Sequence, residues 1–539
     1  MIAPRTLMVA NRGEIALRIL RAARKLGLRT ACIHSEADAG APWLDLADRA
    51  LCIGPAAAKD SYLNIPLILR AADLLEADLV HPGYGFLSES PDFAHAVAAA
   101  GLTFVGPSAE VMRRMGDKVE AKRAMMAAGV PCVPGPDQPL AGDMSEAMAA
   151  GAATGYPLIV KAAGGGGGRG MRIVRRPEEL AEAVMLCRQE AQQFFGNPSV
   201  YIEKFLERPR HVEVQVMADR QGNALWLGAR DCSLQRRHQK VIEESPAPGI
   251  SEQAISALGE RCAAACRMLD YEGAGTFEFL YEDGAFNFIE MNTRIQVEHP
   301  VTEEATGLDL VAMQLGVAMG EALVLAQEDV RFAGHALECR ITAEDAATLQ
   351  PRPGEVTRLH LPGGPGVRID THLREGYRVP AVYDSLIAKL VTRGATRAEA
   401  LARMRAALAE ICIDGCGSTV PLLARLVDDP ADPPDDGSLF RHARSAQAHR
   451  PAAGNGHLDA CTARRPDPPR IPQPAGTVPP KRAGTERFQS GPGPGNRPVR
   501  PRVPRPAARR FPAGLASLPA MTAAQASRTR PTERRRISW

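Results

Sequence analysis

Apolar and polar positions follow two different periods along the N-terminal part of the chain. Short apolar runs at Leu7–Ala10, Thr30–His34 and Leu79–His81 are typical of buried strands, and Glu14–Leu26 has the apolar spacing of an amphipathic helix. Strands that alternate with helices favour a parallel sheet, because parallel neighbours need a long crossover between them. The pattern therefore predicts an open parallel α/β domain that ends near Gly116.

Further along, the pattern becomes that of a β-hairpin. Residues 275–290 are rich in aromatic and apolar side chains and have Asp283-Gly284 near the centre, a pair typical of tight turns. A three-residue loop would place Glu278 opposite Glu290 with both side chains on one face, whereas a two-residue loop would place them on opposite faces. The sequence leaves this choice open.

The hairpin is followed by a segment of alternating polar residues. If it is extended, it presents one face of side chains, because side chains alternate with period two, and these are Glu290, Asn292, Arg294, Gln296 and Glu298. Paired carboxylates from Glu278 and Glu290, with the amide oxygen of Asn292, are hard ligands suited to Mg²⁺ or Mn²⁺. The alternatives are a solvated edge strand and a cross-strand carboxylate pair screened by Arg294.

A glycine run follows a short apolar strand at Tyr156–Lys161. Residues 164–170 are glycines apart from one arginine, and such a loop can approach a polyphosphate closely while a lysine at the strand end supplies a point charge. The segment lacks the Gly-Lys-Ser/Thr ending of a P-loop. Flexible linkers are also glycine-rich, so the preceding strand and lysine are what favour phosphate binding.

Together these motifs resemble the biotin carboxylases of the ATP-grasp family, over about Leu7 to Asp428. Ala229 stands where the family usually has an acidic residue, which is not expected to remove activity. The resemblance rests on the residues above and on Ala10–Arg18, Ser61–Asn64, His81–Glu89, Met115–Lys118, Arg230–Lys240, Glu290–Glu303, Glu338–Arg340 and Tyr383–Ser385.

The resemblance implies that ATP and bicarbonate form carboxyphosphate, which carboxylates biotin held on a carrier protein. It implies that Glu278, Glu290 and Asn292 bind the divalent metal ion, Mg²⁺ or Mn²⁺. The residues that it assigns to the ATP site are Lys118, Lys161, Gly167, Gly168, Gln235 and His238, with His211 lining the site and Glu203, Lys204, Phe205 and Leu206 forming the hinge against adenosine.

The same resemblance assigns the bicarbonate and biotin chemistry. Lys240, Arg294, Gln296 and the Val297 backbone would bind bicarbonate, and Glu298 would act as general base. A carboxylate beside cations should stay ionised near neutral pH. Arg340 would stabilise the negative charge that develops on the ureido oxygen of biotin. Two alternatives remain: another ATP-grasp ligase that joins a carboxylate to an amine, and a truncated, inactive carrier-binding protein.

The resemblance also implies a multidomain α/β and α+β fold. An N-terminal open parallel α/β domain would cover residues 1–116, and the ATP-grasp domain would cover 117–333, with a glycine-loop lid at about 132–205. The C-terminal biotin carboxylase domain would cover 334–445, and a Pro/Arg-rich tail would cover 446–539.

Composition separates the tail from the rest of the chain. Residues 451–539 hold 16 arginines and one lysine against four acidic residues, whereas the other 450 residues hold 48 basic and 58 acidic ones. With 17 of the 44 prolines and few aromatic residues, the tail is expected to be disordered. We do not expect it to bind nucleic acid. A shifted reading frame after about Leu426 would produce the same composition and would leave the C-terminal domain incomplete.

Partners and location follow from the same observations. The Ala-Met-Lys-Met motif of biotin-bearing domains is absent, so the biotin carboxyl carrier protein should be another chain or was lost with the C-terminus. The resemblance implies carboxyltransferase subunits as further partners and is compatible with a homodimer. Eleven irregularly spaced cysteines and no signal or membrane-spanning segment favour the cytoplasm. Cys232, Cys262 and Cys266 are interpreted as structural thiols. His299 is assigned no chemistry.

Overall fold

The computed structural model describes residues 4–140, 143–163, 170–236 and 239–428. These residues belong to one compact unit, Met1–Ala453. A second unit, Gly454–Trp539, lies wholly outside the described residues, as do Gly167, Gly168, His238 and the expected disordered tail at 446–539.

The first part of the chain forms the predicted parallel sheet. Its five strands lie in the order β3-β2-β1-β4-β5 and all pair in parallel. The three strands and the helix predicted from the sequence are found within one residue of their expected bounds. The elements are β1 (Thr6–Val9), α1 (Gly13–Lys25), β2 (Arg29–His34), β3 (Arg49–Cys52), α2 (Ile65–Leu74), β4 (Leu79–His81), α3 (Pro91–Ala99), β5 (Thr103–Phe104) and α4 (Ala109–Gly116).

A small three-stranded sheet follows and has its own apolar core. In its central strand Leu158, Val160 and Ala162 are buried, so the period of two leaves Lys161 on the other face. The strand order is β7-β6-β8. The elements of this part are α5 (Lys118–Ala127), α6 (Met144–Thr154), β6 (Leu158–Ala162), β7 (Met171–Val174), α7 (Leu180–Phe195) and β8 (Val200–Lys204).

An eight-stranded antiparallel sheet forms the largest layer. Its order is β13-β12-β9-β10-β11-β14-β17-β16, so strands on both sides of residue 333 form one continuous sheet. Its elements begin with β9 (Arg210–Ala218), β10 (Ala224–Arg236), β11 (Gln239–Ser245), α8 (Glu252–Met268), β12 (Gly273–Glu282), β13 (Ala285–Asn292), α9 (His299–Thr306) and α10 (Leu310–Ala318).

The remaining elements complete this sheet and its helical cover. Pairing of β14 with β11 brings the strand that contains Arg340 next to the strand that contains Lys240. The remaining elements are β14 (His335–Thr342), β15 (Arg358–His360), β16 (Val367–Thr371), β17 (Leu386–Gly394), α11 (Arg397–Glu410), β18 (Cys412–Asp414) and α12 (Val420–Val427).

The hairpin formed by β12 and β13 has a two-residue turn and a β-bulge. Glu282 pairs with Ala285 across Asp283-Gly284, yet the pairing shifts by one residue before Glu278, which lies directly opposite Glu290. Our rule that a two-residue turn separates these carboxylates is therefore wrong. The rule assumed an unbroken ladder, whereas a bulge adds one residue to one strand and restores the shared face.

No helix within the described ranges is long and apolar enough to cross a membrane.

Candidate active site

The ammonium group of Lys240 is the centre of the site. It donates to carboxylate oxygens of Glu298 at 2.6 Å and Glu278 at 3.1 Å, and also to Glu213. The Lys240 side chain is 12% exposed. Burial alone would lower the pKa of Lys240, but these carboxylates outweigh burial and raise it well above its usual value. Lys240 is therefore a fixed cation among three fixed anions.

Alternation along β9 delivers further polar side chains to the same face. His211, Glu213 and Gln215 are two residues apart, so all three point to one side of the sheet. The His211 Nε2 atom lies 3.0 Å from Glu213 and 3.3 Å from Glu278. Burial would lower the pKa of His211, but the charge of Glu278 and the bond to Glu213 raise it to about 9. Glu213 was not predicted from the sequence, although the alternation is visible there.

Arg230 is a second buried residue for which the sequence predicted no role. Its side chain is fully buried, and its guanidinium donates to Gln215 at 2.7 Å, to Gln296 at 2.7 Å and to Glu213 at 3.1 Å. A planar group with five donors can hold several acceptors in fixed positions. Arg230 therefore positions Gln296, one of the predicted bicarbonate ligands.

The predicted metal ligands lie close together, with one difference of orientation. Glu278 accepts hydrogen bonds from the amide nitrogens of Asn292 and Gln296, both at 2.8 Å. The Asn292 amide oxygen instead accepts from Arg294 at 2.7 Å. Glu290 accepts from Lys118 at 2.9 Å. Burial would raise the pKa of Glu278, but Lys240 and His211 lower it well below its usual value, so this carboxylate is ionised.

The predicted extended segment from Glu290 to Glu298 is wrong in its second half. Strand β13 ends at Asn292, the chain then turns, and Glu298 is the residue before α9. The turn nevertheless directs these side chains to the site, since Gln296 donates to Glu278 at 2.8 Å and Glu298 accepts from Lys240 at 2.6 Å. An irregular loop, and not a continued strand, brings these side chains together, and period-two reasoning could not reveal this.

Two fixed groups hold the loop that contains Glu298. The Lys389 ammonium donates to the Val297 carbonyl oxygen at 2.9 Å and lies 3.2 Å from Glu14, with both side chains almost fully buried. The Arg340 Nη2 atom donates to Glu298 at 2.8 Å. Burial would raise the pKa of Glu298, but Lys240 and Arg340 lower it to about 2.

A separate group of charges lies where β6, β8 and α5 meet. Lys161 donates to Glu203 at 2.7 Å, and Lys122 donates to the other oxygen of Glu203 at 3.3 Å. The Lys204 ammonium points elsewhere, to the Tyr156 carbonyl oxygen at 2.9 Å. Glu203 is thus held by two lysines, and Lys122 was not anticipated from the sequence.

A cavity of about 580 Å³ is bordered by Phe205 of the predicted hinge. Its other lining residues are the apolar Ile159, Met171 and Ile173 of β6 and β7 and the charged Arg175, Glu207 and Arg208. Such a slot suits a flat aromatic ring. Gln235 donates to the Cys232 carbonyl oxygen at 3.0 Å, away from this cavity's lining.

The three cysteines that the sequence marks as structural are buried thiols. Cys232, Cys262 and Cys266 are all 0% exposed, and burial raises the pKa of each thiol. A thiol in this state is a poor nucleophile. This agrees with the structural role inferred from the sequence.

Three family models match successive parts of the chain. The biotin carboxylase N-terminal domain matches residues 3–112, and the carbamoyl-phosphate synthase L chain ATP binding domain matches residues 117–326. The biotin carboxylase C-terminal domain matches residues 338–432.

Whole-length relatives agree. The biotin carboxylase of Pseudomonas aeruginosa is 59% identical over 425 residues, which cover 79% of this chain and 95% of the relative. That of Haemophilus influenzae is 56% identical over 423 residues, which cover 78% of this chain and 94% of the relative.

Solved structures give the same result. A biotin carboxylase–β,γ-ATP complex from Campylobacter jejuni superposes with a TM-score of 0.76 at 47% identity, covering 79% of this chain and 95% of that one. A second structure is the biotin carboxylase domain dimer of Hydrogenobacter thermophilus 2-oxoglutarate carboxylase, in complex with MgADP, ADP and bicarbonate. It superposes with a TM-score of 0.77 at 42% identity, covering 83% of this chain and 98% of that one. The chain belongs to the biotin carboxylase family of ATP-dependent ligases.

Proposed function

We propose that this chain carboxylates biotin on a biotin carboxyl carrier protein with ATP and bicarbonate, through carboxyphosphate. This is the first half-reaction of an acetyl-CoA or other acyl-CoA carboxylase. One observation carries the proposal: Lys240 and Arg340 each donate to a different oxygen of Glu298, so an ionised carboxylate lies between two cations in a buried site. A proton acceptor beside two anion-binding groups suits a substrate that must be bound and deprotonated.

The nucleotide has a natural place at the smaller sheet. Lys161 and Lys118 would contact the phosphates, and Glu203 with the backbone of residues 204–206 would meet the adenosine, whose base fits the cavity beside Phe205. ATP replaces one partner of each ion pair, because its phosphates compete for the ammonium groups that now contact Glu203 and Glu290. Gly167, Gly168, Gln235, His211 and His238 would complete this site.

The donor set fits a divalent cation. Glu278 and Glu290 lie opposite each other on one face of the hairpin. Their carboxylate oxygens are hard ligands, so these two residues and Asn292 would hold Mg²⁺ or Mn²⁺. The Asn292 amide must turn its oxygen away from Arg294 to take part. When bound, the metal ion would neutralise charge on the ATP phosphates.

Bicarbonate would bind between Arg294, Gln296, the Val297 backbone and Lys240. Its negative charge competes for the Lys240 ammonium, and Glu298 thereby regains proton affinity. Glu298 then accepts the bicarbonate proton, and the resulting oxyanion attacks the γ-phosphorus of ATP, so that the bond from this phosphorus to the bridging oxygen breaks, carboxyphosphate forms and ADP leaves. Removal of the proton raises the nucleophilicity of the attacking oxygen, and the fixed cations limit the cost of the added charge.

Arg340 would act at the biotin end of the site. Its guanidinium is held by Glu298 and by Glu243, at 2.8 Å and 2.5 Å. A guanidinium fixed in advance can stabilise negative charge on the ureido oxygen without reorganising in the transition state. Biotin would be delivered by the carrier protein, and carboxyltransferase subunits would use the product. We place this work in the cytoplasm and regard a homodimer as compatible with it.

The chain would consist of three domains and a C-terminal tail. Residues 1–116 would form the N-terminal domain, 117–333 the ATP-grasp domain and 334–445 the C-terminal domain, before a tail at 446–539. Residues 132–205 would close over ATP as a lid and protect carboxyphosphate from water.

ADP release with free biotin, with and without bicarbonate, tests the proposal. Turnover that requires both substrates is the expected result. Turnover supported by amines without bicarbonate would instead indicate another ATP-grasp ligase. A folded protein that binds ATP and releases no ADP under any of these conditions would overturn the proposal and favour an inactive carrier-binding protein.

A further inference from the structure

Two buried carboxyl groups face each other beside Arg340, and one of them, Glu338, has no role in the steps above. Glu243 on β11 pairs directly with Glu338 on β14, and directly opposite residues of an antiparallel ladder share a face. Both side chains are 0% exposed. Two anions at this spacing, away from water, repel each other strongly.

Three of the four carboxyl oxygens of Glu243 and Glu338 lack a hydrogen-bond partner among the described residues. Glu243 Oε1 accepts from Arg340 Nε at 2.5 Å. Glu243 Oε2 and both oxygens of Glu338 have no hydrogen-bond partner among the described residues. An ionised carboxylate can only accept, so two ionised groups would leave three buried acceptors unsatisfied, whereas one proton converts Glu338 into a donor toward Glu243.

The surrounding charges cannot neutralise both carboxylates. Arg340 is already shared with Glu298, and Lys389 is shared with Glu14. Burial raises the pKa of Glu338 well above its usual value and that of Glu243 to about 7. The other titratable groups that interact with this pair or with Arg340 are Lys240 on β11, Cys232 on β10, Cys339 on β14 and Tyr84 after β4.

We propose that Glu243 and Glu338 are positioning residues for Arg340, and that a protonated Glu338 donates to Glu243 so that the pair carries one negative charge. The single charge balances the Nε side of the guanidinium, while Glu298 balances Nη2. Arg340 is thereby fixed in orientation without being drawn away from Glu298 by two anions. This role deepens the proposed biotin carboxylation and rests on it.

Infrared spectroscopy tests the proton directly. At about pH 8, exposed carboxyl groups are ionised, so a carbonyl stretch from a protonated carboxylic acid must come from a buried group. The wild-type protein should show such a band, and Glu338→Gln should remove it. A wild-type spectrum without the band, or a band of unchanged intensity in Glu338→Gln, would overturn the proposal. This measurement does not depend on turnover, so it remains valid if the proposed reaction is wrong.

Kinetics tests the positioning role. Glu338→Leu removes the donor and should lower kcat for biotin carboxylation by about tenfold or more, whereas Glu338→Gln can still donate and should restore most of that loss. The KM for ATP should change little in either variant, because the nucleotide contacts lie elsewhere. Glu355→Gln, at an exposed ion pair with Arg378, is the matched control and should match the wild type.

Two kinetic results would contradict the inference. One is a wild-type kcat in Glu338→Leu, and the other is an equal loss in the leucine and glutamine variants. Equal thermal unfolding midpoints for the glutamine variant and the wild type confirm that the comparison concerns folded protein. A wild-type enzyme without bicarbonate-dependent turnover would refute the proposed function and leave the infrared result to decide the protonation state.

Discussion

The Lys240 ammonium lies 2.6 Å from a carboxylate oxygen of Glu298, and both side chains are largely shielded from water. Both would cost free energy if left alone in such surroundings. The same contact therefore stabilises the sheet and holds the proposed proton acceptor in place.

Replacement of Lys240 should destabilise the protein strongly. In Lys240→Gln, three buried carboxylates lose their shared cation, and we expect the free energy of unfolding to fall by about 3 to 5 kcal/mol. Urea denaturation measures the change. Lys118→Gln is the control, because its partner Glu290 is 44% exposed, and it should cost less than about 1 kcal/mol. Equal losses in the two variants would show that the Lys240 cluster is not the stabilising element.

Replacement of Glu298 should separate ATP binding from turnover. Glu298→Gln keeps the shape of the side chain but removes the proton acceptor, so bicarbonate-dependent ADP release should fall at least about 100-fold. Nucleotide affinity, measured by calorimetry, should stay within about twofold of the wild type. Glu304→Gln on the same helix α9 is the control. A large loss of nucleotide affinity would mean that Glu298 has a different role.

Acid should reduce the stability that Glu298 provides. Its pKa is about 2 in the folded protein and should be about 4.3 in the unfolded chain, so its contribution is present above about pH 4.3 and disappears as the pH falls through about 2. The contribution is at most about 3 kcal/mol. Urea midpoints across this range should converge for the wild type and Glu298→Gln. A constant difference would refute the lowered pKa.

Arg230 should matter for bicarbonate more than for ATP. Arg230→Lys cannot hold Gln215, Glu213 and Gln296 together, because an ammonium lacks the planar fork. We expect the KM for bicarbonate to rise about tenfold, as for the loss of one charge-assisted hydrogen bond. Arg236→Lys, at a partly exposed pair with Glu344, serves as the control. An unchanged bicarbonate KM would show that Arg230 is only structural.

The sequence revealed those parts of the site that local patterns encode. The parallel sheet, the hairpin and Lys161 at the end of its strand follow from periods of apolar residues and from turn residues. Lys389 and Glu14 could not be found in this way, because they meet only through packing of β17 against α1 across several hundred residues. The bulge opposite Glu278 was missed because no turn residue marks it.

That bulge has a consequence for how the hairpin can change over evolutionary time. The two strands pair in one register between the tip and the bulge and in another register at the carboxylate end. The pairing at the tip therefore does not fix the pairing of Glu278 with Glu290. Insertions at the exposed tip, Asp283-Gly284, should be tolerated in natural variants and in engineered fusions. Deletion of Ile289 should also preserve this pairing, because it would remove the extra residue and leave an unbroken ladder in which Glu278 still lies opposite Glu290.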